Sequence, residues 1–359
     1  MAGIVSYGAW IPFLRISVDD IVKVWDNIGI SKVKNSYKLT ERAVLQPNED
    51  SNTMAVAAAR RAIAMQGGSV ENIDGVFLGT CTNPYDTRAS VTILQEALGL
   101  KRSVISSDLQ FGGKSGATGI QLGMALIGSG MAKQVLAVGS DTINRHTAPG
   151  VLHETAASAG AMAVILGSED IIADIKGTAS FSSDLTDFFR IEGDRYIQDN
   201  GVGGQPYPEF EIGMMAHIKG AGDALMEKLN CKAEDFTYAV FQQPYGSIPY
   251  ILGERMNFTE NQIAPGVVSD KIGDCGSASA MLGLAQVLDN AKPGEKIFFA
   301  AYGFGAGADA FVLEVTDGIE RVNPKKTVAD LLAYKRVVNY ADAIRYEYKY
   351  MQELQPYYQ

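Results

Sequence analysis

The strongest constraint in this sequence is a pattern that occurs twice. The first copy runs from a glycine-rich turn into a helical segment at 115–127, an apolar strand at 134–138, an excursion, and a second strand at 161–166. The second copy runs from a turn into a helix at 277–288, a strand at 296–301, a tight glycine-rich turn and a strand at 310–315. A shift of ~162 residues lays one copy on the other and sets Gly113 against Cys275. Two copies of one α/β unit would place the turns at their helix starts around a shared pocket.

The rest of the chain reads the same way. Further strands are expected at 4–11, 75–79, 103–105, 172–175 and 239–242, and further helices at 18–28, 54–65, 90–98, 213–229 and 248–256. Ser51 is a suitable N-cap for the helix at 54–65, and Gly67 and Gly68 suitable stops. Alternation of this kind predicts α/β layers around a largely buried sheet. The segmentation expected is an N-terminal half at 1–167, a C-terminal half at 168–316 with an inserted loop region at about 176–212, and an extension at 317–359. The loop carries Phe188-Phe189-Arg190 and Gly201-Val202-Gly203-Gly204, and a loop this long is usually functional or an interface. The extension is rich in tyrosine (334, 340, 346, 348, 350, 357 and 358), which suits either a contact surface or a docked terminal helix.

Composition removes several function classes. A net charge of −10 over 359 residues disfavours a general nucleic-acid role, which needs a basic face. No run approaches the ~20 apolar residues of a membrane span. The start, Met1-Ala2-Gly3-Ile4-Val5, lacks the basic region of a signal peptide. Cys81, Cys231 and Cys275 show no CxxC spacing, and His146, His153 and His217 are too scattered for a multi-histidine site, so no metal is expected. A reducing, cytoplasmic compartment is the expectation.

The candidate chemistry lies at the first turn, Leu109-Gln110-Phe111-Gly112-Gly113-Lys114-Ser115-Gly116. A turn between strand and helix presents a nucleophile at a helix N-terminus, where the dipole lowers a thiol pKa. Here the turn holds Gly113, which has no side chain to acylate. A second glycine-rich stretch is Tyr302-Gly303-Phe304-Gly305-Ala306-Gly307-Ala308-Asp309-Ala310-Phe311.

In that order and at that separation, the two stretches resemble the thiolase superfamily, and within it the hydroxymethylglutaryl-CoA (HMG-CoA) synthases of archaeal type. The resemblance runs from Gly3 to about Thr316. A narrower resemblance, to the A-subunit group of bacterial monoacetylphloroglucinol acetyltransferases, rests on four segments. These are Gly79-Thr80-Cys81-Thr82-Asn83-Pro84-Tyr85-Asp86, Asp141-Thr142-Ile143-Asn144-Arg145, Val240-Phe241-Gln242-Gln243 and Gly273-Asp274. The resemblance implies a thiolase fold, two duplicated α/β halves in α-β-α-β-α layers. It implies no resident cofactor and an acyl-CoA as substrate.

Such synthases use a Cys that becomes an acyl thioester, a His that orients substrate and a Glu that moves the proton. Carried over by resemblance, the Cys falls on Gly113, the His on Gln242 and the Glu on Cys81, while an Asn of a late pocket loop falls on Asp274. Phe304 and Gly305 complete the implied pocket. With all three chemical positions replaced, the expectation is a catalytically degenerate subunit of a multi-subunit acyltransferase, structural or substrate-shaping in role. The implied partners are a second copy, with the strand at 134–138 and its neighbours at the interface, a thiolase-type catalytic subunit, and a small zinc-ribbon/OB-fold subunit. The alternative is a self-sufficient acyl-CoA-dependent acyltransferase or HMG-CoA synthase-like enzyme using Cys275 or Cys81. A non-enzymatic acyl-CoA- or ketone-binding protein is the third reading.

Each position also has a plainer reading. Gly113 suits a tight turn in its own right, and Gln242 suits a structural hydrogen bond. Cys275 precedes a helix, yet Asp274 beside it raises a thiol pKa. His146 shares a polar loop with Arg145, His153-Glu154 suits packing near the pocket, and His217 sits on an amphipathic helix with Met214, Met215 and Ile218.

Overall fold

The computed structural model describes residues 2–25, 29–200, 213–322, 324 and 326–350. Its strands are β1 (Gly3–Trp10), β2 (Leu14–Ser17), β3 (Glu41–Val44), β4 (Ile73–Gly79), β5 (Ile105–Leu109), β6 (Gln134–Thr142) and β7 (Ala159–Gly167) in the first part of the chain. They continue with β8 (Ala173–Ser182), β9 (Phe188–Phe189), β10 (Gln198–Asp199), β11 (Tyr238–Phe241), β12 (Lys296–Gly303), β13 (Gly307–Val315) and β14 (Arg336–Val337). The helices are α1 (Val18–Val22), α2 (Ser51–Met65), α3 (Val91–Ala97), α4 (Ser115–Gly128), α5 (Gly213–Leu229), α6 (Ile248–Arg255), α7 (Glu260–Ile263), α8 (Ser269–Ile272), α9 (Ser279–Leu288), α10 (Val328–Ala333) and α11 (Tyr340–Tyr346).

Nine strands hydrogen-bond in the order β11-β12-β13-β8-β1-β7-β6-β4-β5. Only two residue pairs, Gly3 with Asp174 and Ile4 with Ala173, join β1 to β8, so the sheet divides there into two halves. Helix α2 packs on β1, β7 and β6, and α5 on β13, β8 and β12. Helices α4 and α9 lie between the halves. The result is the α-β-α-β-α layering of the thiolase fold.

Side-chain alternation builds these layers. Along β7, Ala161, Ala163 and Ile165 join the cluster of α2, while Met162, Val164 and Leu166 join the central cluster of α4 and α9. Along β12, Ile297, Phe299 and Ala301 face the centre, while Phe298, Ala300 and Tyr302 join the cluster of α5. Both faces of each strand are covered, which is why these segments read as unbroken apolar runs. Each fully buried Leu, Ile or Phe adds about 1.5–3 kcal/mol.

The repeat offset reappears as a contact. Ser115 and Ser277, 162 positions apart, share a hydrogen bond of 2.7 Å between their hydroxyls. Around it the backbones nearly touch: a Cβ on Gly116 would stand 2.8 Å from the Cα of Gly139, and one on Gly139 would stand 2.3 Å from the Ser277 carbonyl oxygen.

Several expectations change in detail. The helix at 54–65 begins at Ser51 and is capped by Asp50, whose carboxylate accepts from the Thr53 N–H at 2.7 Å. The strand expected at 103–105 is β5, shifted to 105–109, so Leu109 belongs to the strand and not to the turn. As an edge strand β5 tolerates polar residues, and its Asp108 accepts from the N–H groups of Ser90 and Val91, capping α3. The helix expected at 277–288 opens with one 3-10 turn, Gly276–Ala278, before α9. The expected helix at 18–28 is described only as α1; 26–28 lie outside the described residues. Strand β6 lies between β7 and β4 and offers no free edge; β5 does. Of the loop at 176–212, the first residues extend β8 and the next form the β9–β10 hairpin, while 201–212 lie outside the described residues.

The C-terminal extension is docked. Strand β14 pairs with β2, which pairs with β3. Below this small sheet sits a fully buried ion cluster: Arg42 pairs with Glu347, Glu347 with Lys349 at 3.1 Å, and Lys349 with Glu154 at 3.3 Å. Asn144 donates to Glu347 at 3.1 Å, and the Tyr340 hydroxyl donates to Glu154 at 3.0 Å. Tyr334, Tyr348 and Tyr350 remain exposed; Tyr357 and Tyr358 lie outside the described residues. Glu347→Ala should lower the unfolding free energy in urea titration by about 3–5 kcal/mol, because it strands the Arg42 charge in the interior. Lys23→Ala, which breaks an exposed pair with Asp20, should change it little.

Candidate functional site

The turn before α4 is held against the β12–β13 turn. The Lys114 ammonium meets the buried Asp309 carboxylate at 2.7 Å, and Thr118 and Ser180 each donate to the same carboxylate at 2.8 Å. Lys114 also lies over the Phe111 ring, 4.4 Å from its centroid. The Phe304 N–H donates to the Gly112 carbonyl at 2.8 Å. Between these anchors Gly113 has φ = +90°, and a Cβ there would stand 2.4 Å from the Tyr302 carbonyl oxygen. Position 113 therefore lacks a nucleophile, and its backbone has no room for one.

Cys81 follows β4 in a loop organised by Asp141. One oxygen of that buried carboxylate accepts from the Thr80 hydroxyl (2.8 Å), the Cys81 N–H (2.8 Å), the Thr82 N–H (3.0 Å) and the Thr82 hydroxyl (2.6 Å). The other accepts from the Ser277 N–H at 2.8 Å. Asp141 thus ties the Cys81 loop of one half to the start of α9 in the other. In the sequence Asp141 stands in the segment Asp141-Thr142-Ile143-Asn144-Arg145 without a role of its own. A buried carboxylate inside β6, three positions past Val138, is the signal for such a role.

Cys81 lines a cavity of about 360 Å³ together with Gln110, Phe111, Gly112, Phe188, Phe189, Arg190, Ile197, Phe304 and Gly305. The β9–β10 hairpin supplies the phenylalanine pair, and Phe188 lies 4.8 Å from Phe304 between ring centroids. A neighbouring cavity of about 300 Å³ shares Arg190 and adds Arg145, His146, Asp50 and Asp86. The structure therefore brings Cys81, Phe304 and Gly305 together beside the 112–113 turn.

Burial shifts both candidate thiols upward. Burial, then the nearby Asp141 carboxylate, pushes the Cys81 thiol well above its ordinary range. Cys275 is fully buried in the central core, and burial followed by the Asp274 charge raises its thiol strongly. Cys275 packs in the central core and does not line the Cys81 cavity. Burial and the adjacent Asp235 also raise the Cys231 thiol.

Gln242 and Asp274 meet at the turn that opens α9 and do not line the Cys81 cavity. The Gln242 amide donates to the Gly276 carbonyl at 3.2 Å, leaving its oxygen without a protein partner. One Asp274 oxygen accepts from the Gly276 N–H (2.9 Å) and the Ser279 hydroxyl (2.7 Å); the other has no protein partner. Burial lifts the Asp274 carboxyl from 3.8 to about 6. Burial lowers both His146 and His153 to about 4. Among the described residues no group of three or more His, Cys, Asp and Glu could hold a metal ion, and no helix is long and apolar enough to cross a membrane.

Two outcomes follow from these environments. Gly113→Cys should cost about 1–3 kcal/mol of stability, read as a lowered melting temperature, because the left-handed backbone and the Tyr302 carbonyl both oppose a Cβ. For Asp274, the folded chain keeps a proton up to about pH 6 that the unfolded chain loses near 3.8. Stability from this group is therefore full below pH ~4 and declines as pH rises to ~6. Asp274→Asn should exceed the wild type in stability above pH 6, and paired urea titrations should show the gap closing as pH is lowered to 4.

Comparison with known proteins places this geometry. The family model for the C-terminal part of 3-oxoacyl-[acyl-carrier-protein] synthase III matches residues 226–315. The hydroxymethylglutaryl-CoA synthase of Methanosphaera stadtmanae is 39% identical over 97% of this chain and 99% of its own length. That of Archaeoglobus fulgidus is also 39% identical, over 97% and 99%. Among solved structures, an HMG-CoA synthase complexed with CoA superposes with a TM-score of 0.86 at 18% identity, covering 98% of this chain and 91% of that one. The synthase III of Aquifex aeolicus superposes with a TM-score of 0.79 at 21% identity, covering 88% and 100%. With full-length kinship on one side and a shared fold on the other, the chain belongs to the hydroxymethylglutaryl-CoA synthase family of the thiolase superfamily.

Proposed function

We propose that this chain serves acyl-CoA condensation or acyl transfer as a subunit that does not carry the acyl thioester itself. The observation behind this reading is Gly113: the position that resembles the family's nucleophile has no side chain and a backbone that opposes one. Gln242, which cannot shuttle a proton near neutral pH, and the raised thiols point the same way. A thiolase-type partner would supply the reactive Cys, and a small zinc-ribbon/OB-fold subunit would bridge the two. A second copy of the chain would pair along β5, the sheet edge on which Ile105 is exposed, near the exposed Leu122 of α4. Kinship with synthases named for HMG-CoA supports a CoA thioester as the shared substrate.

A second reading is favoured by one observation. Cys81 lines the cavity beside the 112–113 turn, its Sγ only 3.1 Å from where a Cβ on Gly112 would stand. In that reading the chain is a self-sufficient acyl-CoA-dependent enzyme with its nucleophile moved to Cys81. Intact-protein mass spectrometry with acetyl-CoA separates the two. The expected result is no hydroxylamine-labile thioester on the chain alone, with turnover appearing only when the thiolase-type and bridging proteins are added. A stoichiometric thioester at Cys81, lost in Cys81→Ser, would establish the second reading in its place.

A further inference from the structure

Away from the thiols, β8 and α5 bring a hydroxyl and an imidazole together. Ser183 is exposed and directly follows β8; His217 is buried in α5. The Ser183 hydroxyl and His217 Nε2 are 2.8 Å apart. His217 Nδ1 lies 2.6 Å from the Gly213 carbonyl oxygen. A carbonyl only accepts, so Nδ1 carries the proton, and Nε2 is left to accept from the serine hydroxyl. The ring is fixed on two sides, by Phe181 at 5.4 Å edge-on and Tyr302 at 5.9 Å between centroids. A base within hydrogen-bond reach of a hydroxyl, oriented by a third group, is the arrangement that activates a serine nucleophile.

The pair also adjoins the cavity wall. The Ser183 N–H donates to the Ala306 carbonyl at 3.1 Å, and the Leu185 N–H donates to the Gly305 carbonyl at 3.0 Å. Asp187 accepts from the Gly305 N–H (2.9 Å) and the Tyr302 hydroxyl (2.5 Å), locking this loop onto the segment that bears Phe304. Ser183 is thus bonded through its backbone to Ala306, the neighbour of the cavity-lining Gly305.

We propose that Ser183 is an acyl-accepting nucleophile with His217 as its general base, taking activated acyl donors such as thioesters and aryl esters. In the step, Ser183 Oγ bonds to the acyl carbon while its proton passes to His217 Nε2. The bond from the acyl carbon to sulfur, or to the aryl oxygen, breaks with its electron pair on the leaving atom. His217 then returns the proton to that atom, giving an O-acyl serine and a free thiol or phenol. No oxidant or metal is needed. An O-ester resists neutral hydroxylamine under conditions that strip a thioester, so this site and a thiol adduct give separate signals.

The test uses the whole chain with p-nitrophenyl acetate, following nitrophenolate release and mapping the acetyl group by peptide mass spectrometry. The expected result is a burst of about one equivalent with the label on Ser183. Ser183→Ala should abolish the burst, and His217→Gln should slow it by about 100-fold or more. Ser183→Ala changes an exposed side chain, so its outcome stands whatever His217→Gln does to folding. Label placed only on other residues, an unchanged burst in Ser183→Ala, or wild-type rate in a folded His217→Gln protein would overturn the assignment.

Discussion

The closeness of two helix starts governs this molecule. At the seam between the halves, α4 begins at Ser115-Gly116 and α9 opens through Ser277, and β6 runs against both through Gly139. No side chain fits among them, so glycine is required at two of these places for lack of space alone. Because the backbones meet, a single carboxylate can serve both halves. Asp141 collects donors from the Cys81 loop and from Ser277, and its many bonds offset the cost of burying its charge.

The polar character of that seam is set by its unpaired atoms. The groups at its core end in acceptors: the free oxygens of Gln242 and Asp274, and the saturated Asp141. A site that stabilises a developing oxyanion needs donors aimed at the charge. The wall that remains, built from Phe111, Phe188, Phe189 and Phe304, suits holding an apolar group more than polarising a carbonyl.

Much of this was legible in the residues. The strands of the main sheet are covered on both faces, so 134–138, 161–166 and 296–301 stand out as apolar runs, and the repeat offset is realised as the Ser115–Ser277 contact. The small sheet was not legible. Strands β2 and β3 are short and carry Arg15 and Arg42, which look like surface charges in a sequence; both are fully buried here. Arg42 is sheltered by Glu347, 305 residues distant, and no local pattern reports such a partner. At the site, the absence of a nucleophile at 113 could be read directly, whereas the Tyr302 carbonyl that closes the space could not. The Ser183–His217 pair was hidden for the same reason, since it depends on where β8 ends relative to α5.

The buried ion cluster has a consequence for how the chain is made. Arg42 emerges from the ribosome long before Glu347, and at ~5–20 residues per second the interval is roughly 15–60 s. Until then the small sheet lacks both β14 and the charge that neutralises its interior. A desolvated guanidinium without its carboxylate is too costly to hold. The region around β2 and β3 therefore closes only once the segment bearing β14 and Glu347 has followed. The Arg42–Glu347 pair thus couples the small sheet to a segment 305 residues further along the chain.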